Sequence, residues 1–157
     1  CSRDWSSDVC SSDLLVPAMQ MGDLVVAVSA TPDDGMVLQL TGGEAHAPTA
    51  TYALVERAVG LARDRQLRHH VGPIVSSALF YDPREGIMDR WQQRGHLAVE
   101  MEAAALYTIG ALHGVETVCI ATVSDLITGA GSTRIDDTTL QSAVEQMVRL
   151  GCDVATG

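Results

Sequence analysis

Glu100 and Glu102, two residues apart in the string VEMEAAALY (99–107), are the side chains whose types and spacing point most directly to chemistry. Burying two carboxylates without partners is costly. Here the pair falls where the extended-looking Leu97-Ala98-Val99 gives way to a nearly all-apolar helical run that stops at Gly114. A carboxylate at a helix start is favoured by the free N–H groups and the helix dipole. Its two oxygens can accept hydrogen bonds from adjacent hydroxyls, such as a sugar cis-diol. The plainer alternative is that Glu102 caps the first turn and Glu100 is solvated. A third acid, Asp125, ends the run VETVCIATVSD (115–125). Its stretch from Val118 to Val123 has the length and β-branched content of a strand buried on both faces. Strand, paired acids, helix, strand and acid read as one βαβ unit with carboxylates at both strand tips, where open α/β sheets keep their ligand crevices.

The elements that must position these groups follow from pattern. LVVAVSA (24–30) reads as a strand, TPDDGM (31–36) as a turn, and VLQLTGGEAHAPT (37–49) as a possible short strand and a loop. Thr49 or Thr51 can cap a helix running to about Gln66, with Tyr52, Val55, Ala58, Val59 and Ala62 on its buried face. Residues 68–77 read as the next strand, interrupted by Gly72-Pro73. It ends in SSALFYDP (76–83), where Phe80, the one phenylalanine of the chain, can stack on a flat heterocycle or serve the core. Asp82 and Pro83 suit a helix start, with Ile87 and Trp91 facing inward and Gly95 at the end. After Asp125, a Gly- and Ser-containing loop carries one cation, Arg134. A last helix from about Asp136 to Leu150 buries Leu140, Ala143, Val144, Met147 and Val148, with Gly151 as its cap. The alternation predicts an α/β fold, a mostly parallel mixed sheet flanked by helices.

Composition narrows the function classes. The 157 residues are 46% apolar, enough for one core, and no run is long enough to span a bilayer. Twenty acids face ten arginines and no lysine, a net charge of −10 without a basic stripe, which argues against nucleic acid as partner. His69 and His70 lack the spacing and the carboxylate or cysteine company of a metal site, and His46 reads as a loop residue. Residues 1–14, CSRDWSSDVCSSDL, repeat Ser-Ser-Asp, lack periodicity and have no signal-peptide layout. They resemble translated adapter sequence and are read as an artefactual or disordered non-native segment, leaving 15–157 as the domain portion. Without them the chain loses three acids and one arginine and stays acidic. Cys119 and Cys152 then remain, as in a reduced cytoplasmic protein.

FYDP, VEMEAAALY and TVSD, in this order and at approximately this spacing, resemble the bacterial hexameric type of purine nucleoside phosphorylase, within the nucleoside phosphorylase and nucleosidase superfamily. The resemblance spans about Val16 to Gly151, the C-terminal part of the family chain. It implies phosphorolysis of purine (deoxy)ribonucleosides to free base and (deoxy)ribose 1-phosphate in nucleoside salvage. Inorganic phosphate is then the co-substrate, with no cofactor or metal, and dimers join into a hexamer.

By the same resemblance Asp125 is the general acid that protonates the departing base, and Arg134, closer in sequence than in better-known members, pairs with it. Donation near neutral pH requires an Asp pKa raised from about 3.9 by burial or a second carboxylate. Glu102 grips the ribose hydroxyls, Met101 packs on the sugar, Val99 and Glu100 border the base, and Phe80 lies against it with Tyr81 as neighbour. Ser124, in the Ser-Asp strand end, favours a purine over the pyrimidine of uridine phosphorylases. Phosphate is held in the family by glycine and arginine motifs of the N-terminal part, so this polypeptide alone is expected to be inactive. Methylthioadenosine and adenosylhomocysteine nucleosidases, which use water, are the enzymatic rival. A non-catalytic ligand-binding or oligomerising relic is the alternative of another class.

Overall fold

The computed structural model describes the backbone of residues 5–14, 19–128 and 131–157 and the side chains of residues 19–125 and 135–157. Its strands are β1 (Trp5–Leu14), β2 (Leu24–Pro32), β3 (His69–Ser76), β4 (Ala98–Glu100), β5 (Glu116–Thr128) and β6 (Gly131–Arg134). The helices are α1 (Met36–Leu40), α2 (Tyr52–Asp64), α3 (Ile87–Gln93), α4 (Ala103–His113) and α5 (Asp137–Thr156). The strands form one mixed sheet in the order β1-β4-β3-β2-β5-β6. β2, β3 and β4 are parallel, as are β1 and β5, whereas β1–β4, β2–β5 and β5–β6 are antiparallel. Because β1 pairs with both β4 and β5, the sheet curls until those two strands flank a common neighbour.

β2 and β5 are apolar on both faces because both faces are covered. On one side Val25, Ala27, Cys119, Ala121 and Val123 pack with Ala103, Ala104 and Tyr107 of α4. On the other, Leu24, Val26, Val118 and Ile120 meet Leu54, Val55 and Ala58 of α2 and Met147, Leu150 and Val154 of α5. The nearly all-apolar α4 thus covers this core with one face, while Ile109 and Leu112 on the other are exposed. Gly110 lets it approach β5: a Cβ there would stand 2.5 Å from Thr117 Cγ2 and 2.9 Å from the Val115 carbonyl. Gly114 ends the helix in the left-handed region, as the sequence predicts.

Tyr107 is 1% exposed, and its hydroxyl donates to the Ala27 carbonyl at 2.8 Å and accepts from Cys119 N–H at 2.9 Å. It engages β2 where Val28 is an extra residue, since Ala27 pairs with Gly72 and Ser29 with Pro73. That bulge explains how a proline, which cannot donate to the ladder, sits inside a central strand.

Several sequence expectations are corrected. Where 37–49 suggests a possible short strand, the chain forms the short helix α1: Asp34 accepts from Met36 N–H at 2.9 Å, and Met, Leu and Gln are good helix formers. Tyr52 opens α2 but lies 74% exposed. Asp82 caps a turn by accepting from Arg84 N–H, and α3 starts only at Ile87, after a left-handed Gly86. α5 runs through a buried Gly151 to Thr156, because Leu150 and Val154 continue its apolar stripe against α2. Val148 is on its exposed side. The loop after Asp125 is instead drawn into the β5–β6 hairpin. Residues 5–14 run as a strand although their sequence has no strand periodicity; the ladder uses backbone groups that any non-proline residue supplies.

Candidate active site

The end of the sheet where β3 and β4 finish holds the paired glutamates. Ser76 lies opposite Glu100 in the β3–β4 register, and both are buried, at 1% and 4% exposure. The Ser76 hydroxyl donates to Glu100 Oε1 and accepts from Ala104 N–H at 2.8 Å. Glu100 Oε2 accepts from the N–H groups of Glu102 at 2.8 Å and Ala103 at 2.7 Å. The capping acid of α4 is therefore Glu100, whereas Glu102 occupies the N-cap backbone position without a side-chain cap of its own. This inverts the sequence alternative in which Glu102 caps and Glu100 is solvated: the reach from Glu100 to the next two N–H groups is short, and Ser76 completes the shell. Burial raises the Glu100 pKa above the ordinary carboxylate range, opposed by the Ser76 hydroxyl and the two N–H groups. Met101 and Glu102 are exposed at the surface just beyond this network, and Val99 packs with Val75, Ile87 and Trp91.

β5 and β4 run in opposite directions, so they do not make the simple βαβ unit expected from the order of elements. Closure through β1 nevertheless brings their acid-bearing ends to one level: Val99 pairs with Asp13, and Asp13 pairs with Asp125. Two interstrand spacings separate the β4 and β5 backbones there, about 10 Å. Ser124 is the extra residue of a bulge, for Ser12 pairs with Val123 and Asp13 with Asp125. Bulges of this kind re-aim side chains. Asp125 is half-buried and accepts from the Ser124 hydroxyl at 2.6 Å. Arg134 stands directly opposite Asp125 in the β5–β6 register; its side chain lies outside the described residues.

Phe80 and Tyr81 follow β3 on a surface segment, 65% and 88% exposed, in edge-to-face contact with ring centroids 4.9 Å apart. They border an open cleft of about 670 Å³ lined by residues 80–89. Arg84, to which the sequence gives no prominence, ties this segment down. It forms ion pairs with Asp82 and with Asp33 beyond β2, and its guanidinium lies 5.8 Å from the Trp91 ring centre. The Arg84 hydrogen bonds hold the Asp82 pKa down to about 2. Ser76 was likewise missed: its partner is 24 residues distant, and only the parallel pairing of two strand ends reveals it.

Opposite this end, Asp23 forms a second polar cluster. It is 3% exposed and accepts from Arg68 Nε at 2.7 Å, His70 Nε2 at 2.9 Å and Gln20 N–H at 3.0 Å. Burial pushes its pKa up, but the Arg68, His70 and Gln20 hydrogen bonds outweigh burial and leave it lowered. No helix of the described residues is long and apolar enough to cross a membrane.

Comparison with known proteins identifies the family of the chain. The family model described as the phosphorylase superfamily matches residues 14–156. A DeoD-type purine nucleoside phosphorylase of Alkaliphilus metalliredigens is 34% identical over 137 residues, 87% of this chain and 58% of that protein. Proteins of the same name from Clostridium beijerinckii and Roseobacter denitrificans are each 40% identical, over 71% and 69% of this chain and 47% of theirs. The chain thus spans about half the length of the curated relatives it matches. With a family match running from the last residue of β1 to the last residue of α5, the chain belongs to the phosphorylase superfamily.

Proposed function

We propose that this chain is part of a cytoplasmic purine nucleoside phosphorylase that transfers the (deoxy)ribosyl group of a purine nucleoside to phosphate. The observation carrying the reading is that β4 leads into an exposed Glu102 while β5 carries Asp125, held by the Ser124 hydroxyl and directly opposite Arg134. Breaking a purine N-glycosidic bond needs a proton for the departing base and an anion near a sugar that becomes cation-like. Asp125 supplies the proton to the imidazole nitrogen of the base, and Ser124 orients it. Its pairing with Arg134 is supported by their direct opposition across the hairpin. Glu102 accepts from the ribose hydroxyls and favours the positive charge growing on the ring, an interaction stronger in the transition state than in the bound substrate. Met101 covers the sugar, Val99 and Glu100 border the base from the protein side, and Phe80 with Tyr81 provides an exposed aromatic face for the base.

Phosphate needs arginines and backbone N–H groups near the sugar. We assign these to the share of the family chain that this polypeptide does not represent, and expect the polypeptide alone to turn over little substrate. Residues 1–14, of which Leu14 alone falls within the family match, are read as non-native. Dimers assembled into a hexamer are the expected form of the whole protein.

The test is release of hypoxanthine from inosine by the full-length protein, with and without phosphate. Turnover that requires phosphate supports the reading. Equal cleavage without it assigns a hydrolytic nucleosidase, and no cleavage of any nucleoside leaves a binding or oligomerising role. Asp125→Asn should lower kcat by about 10²- to 10⁴-fold while nucleoside binding changes little.

A further inference from the structure

We propose that Ser76 and Glu100 are positioning residues that fix the backbone at residues 100–104, and with it the exposed Glu102, without themselves touching the nucleoside. The inference rests on the reading of Glu102 as sugar anchor and adds two residues to that site. Four hydrogen bonds close on this short stretch: Ser76 to Glu100, Ala104 N–H to Ser76, and the N–H groups of Glu102 and Ala103 to Glu100. Ser77 N–H adds a fifth, to the Glu100 carbonyl at 2.8 Å. Both Glu100 oxygens are thereby engaged inside the protein, behind a surface of which 4% remains exposed, so the side chain acts inward. The N–H groups that would otherwise make the start of α4 an anion site are filled. The negative group offered to a ligand there is displaced to Glu102, two residues on.

A carboxylate or an amide can fill this internal role. Glutamine keeps one oxygen to accept from the two N–H groups, and its NH₂ can donate to the Ser76 hydroxyl. Alanine cannot. If Glu100 instead bound the nucleoside through its charge, glutamine would fail as badly as alanine.

In the full-length protein, Glu100→Ala and Ser76→Ala should each raise KM for inosine about tenfold, about the net worth of one hydrogen bond. The KM for phosphate should stay unchanged, and Glu100→Gln should stay within about threefold of the parent. Amide hydrogen exchange read alongside should show faster exchange at 102–104 in both alanine variants and parental protection in Glu100→Gln. The proposal is overturned if Glu100→Gln matches Glu100→Ala in KM with protected amides, or if Ser76→Ala leaves both KM and exchange at parental values. Should the parent cleave no nucleoside, the reading of the site falls, and the exchange pattern by itself decides whether these residues hold the segment.

Discussion

Asp23 and Glu100 are both carboxylates with little surface exposure, at opposite ends of the parallel strands β2, β3 and β4, yet their pKa values move in opposite directions. The difference lies in the deeper burial of Glu100 and in the charge of the partners. Asp23 receives an arginine, a histidine and a backbone N–H. The hydrogen bonds of Glu100 come from a hydroxyl and two backbone N–H groups, with Glu102 adding repulsion. Burial sets the cost of a charge, and the sign of the neighbours decides whether that cost is met. At one end of the sheet the buried acid is met by opposite charge, while at the other it is met by neutral donors beside the exposed Glu102. A sugar acquiring positive character is served by the second kind of end.

The largest effect that would test this contrast is expected from Asp23→Ala. It leaves Arg68, His70 and the Gln20 N–H without their acceptor. Arg68 is 59% exposed and can rehydrate, so urea denaturation should show a loss of about 2–3 kcal/mol, below that of breaking a fully buried ion pair. Glu100→Ala should cost about 1–2 kcal/mol, the range for losing a helix cap, and Glu100→Gln should cost less. A greater loss in Glu100→Gln than in Glu100→Ala would break the view of Glu100 as a neutral-partnered cap.

Stability against pH should separate the two acids by sign. The lowered folded pKa of Asp23 means that its contribution is present above its unfolded value, about 3.9, and is lost as pH falls through the folded value. Asp23→Asn should therefore flatten the acid limb of the profile. The folded pKa of Glu100 is raised, so its contribution is present below its unfolded value, about 4.3, and is lost as pH rises through the folded value. Glu100→Gln should then gain on the parent as pH rises across that window, and a parallel profile would contradict the sign. The smallest expected difference is in salt. Going from low to molar NaCl should reduce the penalty of Asp23→Ala by a few tenths of a kcal/mol, through screening of the half-exposed Arg68, and leave that of Glu100→Gln unchanged.

What was legible in the sequence follows the range of the interactions involved. The turn from Val99 into α4, its stop at Gly114 and the buried strand through Val118 to Val123 depend on neighbours in the chain, and periodicity reveals them. Ser76, Asp23 and Arg84 depend on strands that are neighbours in space, and no local signal marks them. Asp23 at the start of β2 and Arg68 before β3 become partners only once Leu24 is known to pair with His69. The opposed directions of β4 and β5 were hidden for the same reason: element order does not fix strand direction when a third strand lies between the two. Phe80 needed no such knowledge to stand out, because it is the chain's one phenylalanine, beside a strand end.

The phenol of Tyr107 reaches further than core packing alone. It joins α4 at mid-length to Ala27 and to Cys119, and Cys119 lies on the strand that carries Asp125. The spacing between the two acids is therefore gauged from a shared pivot, back along the helix to Glu102 and forward along β5 to Asp125. A phenylalanine in its place would keep the ring and the filled interior and lose both hydrogen bonds of the pivot.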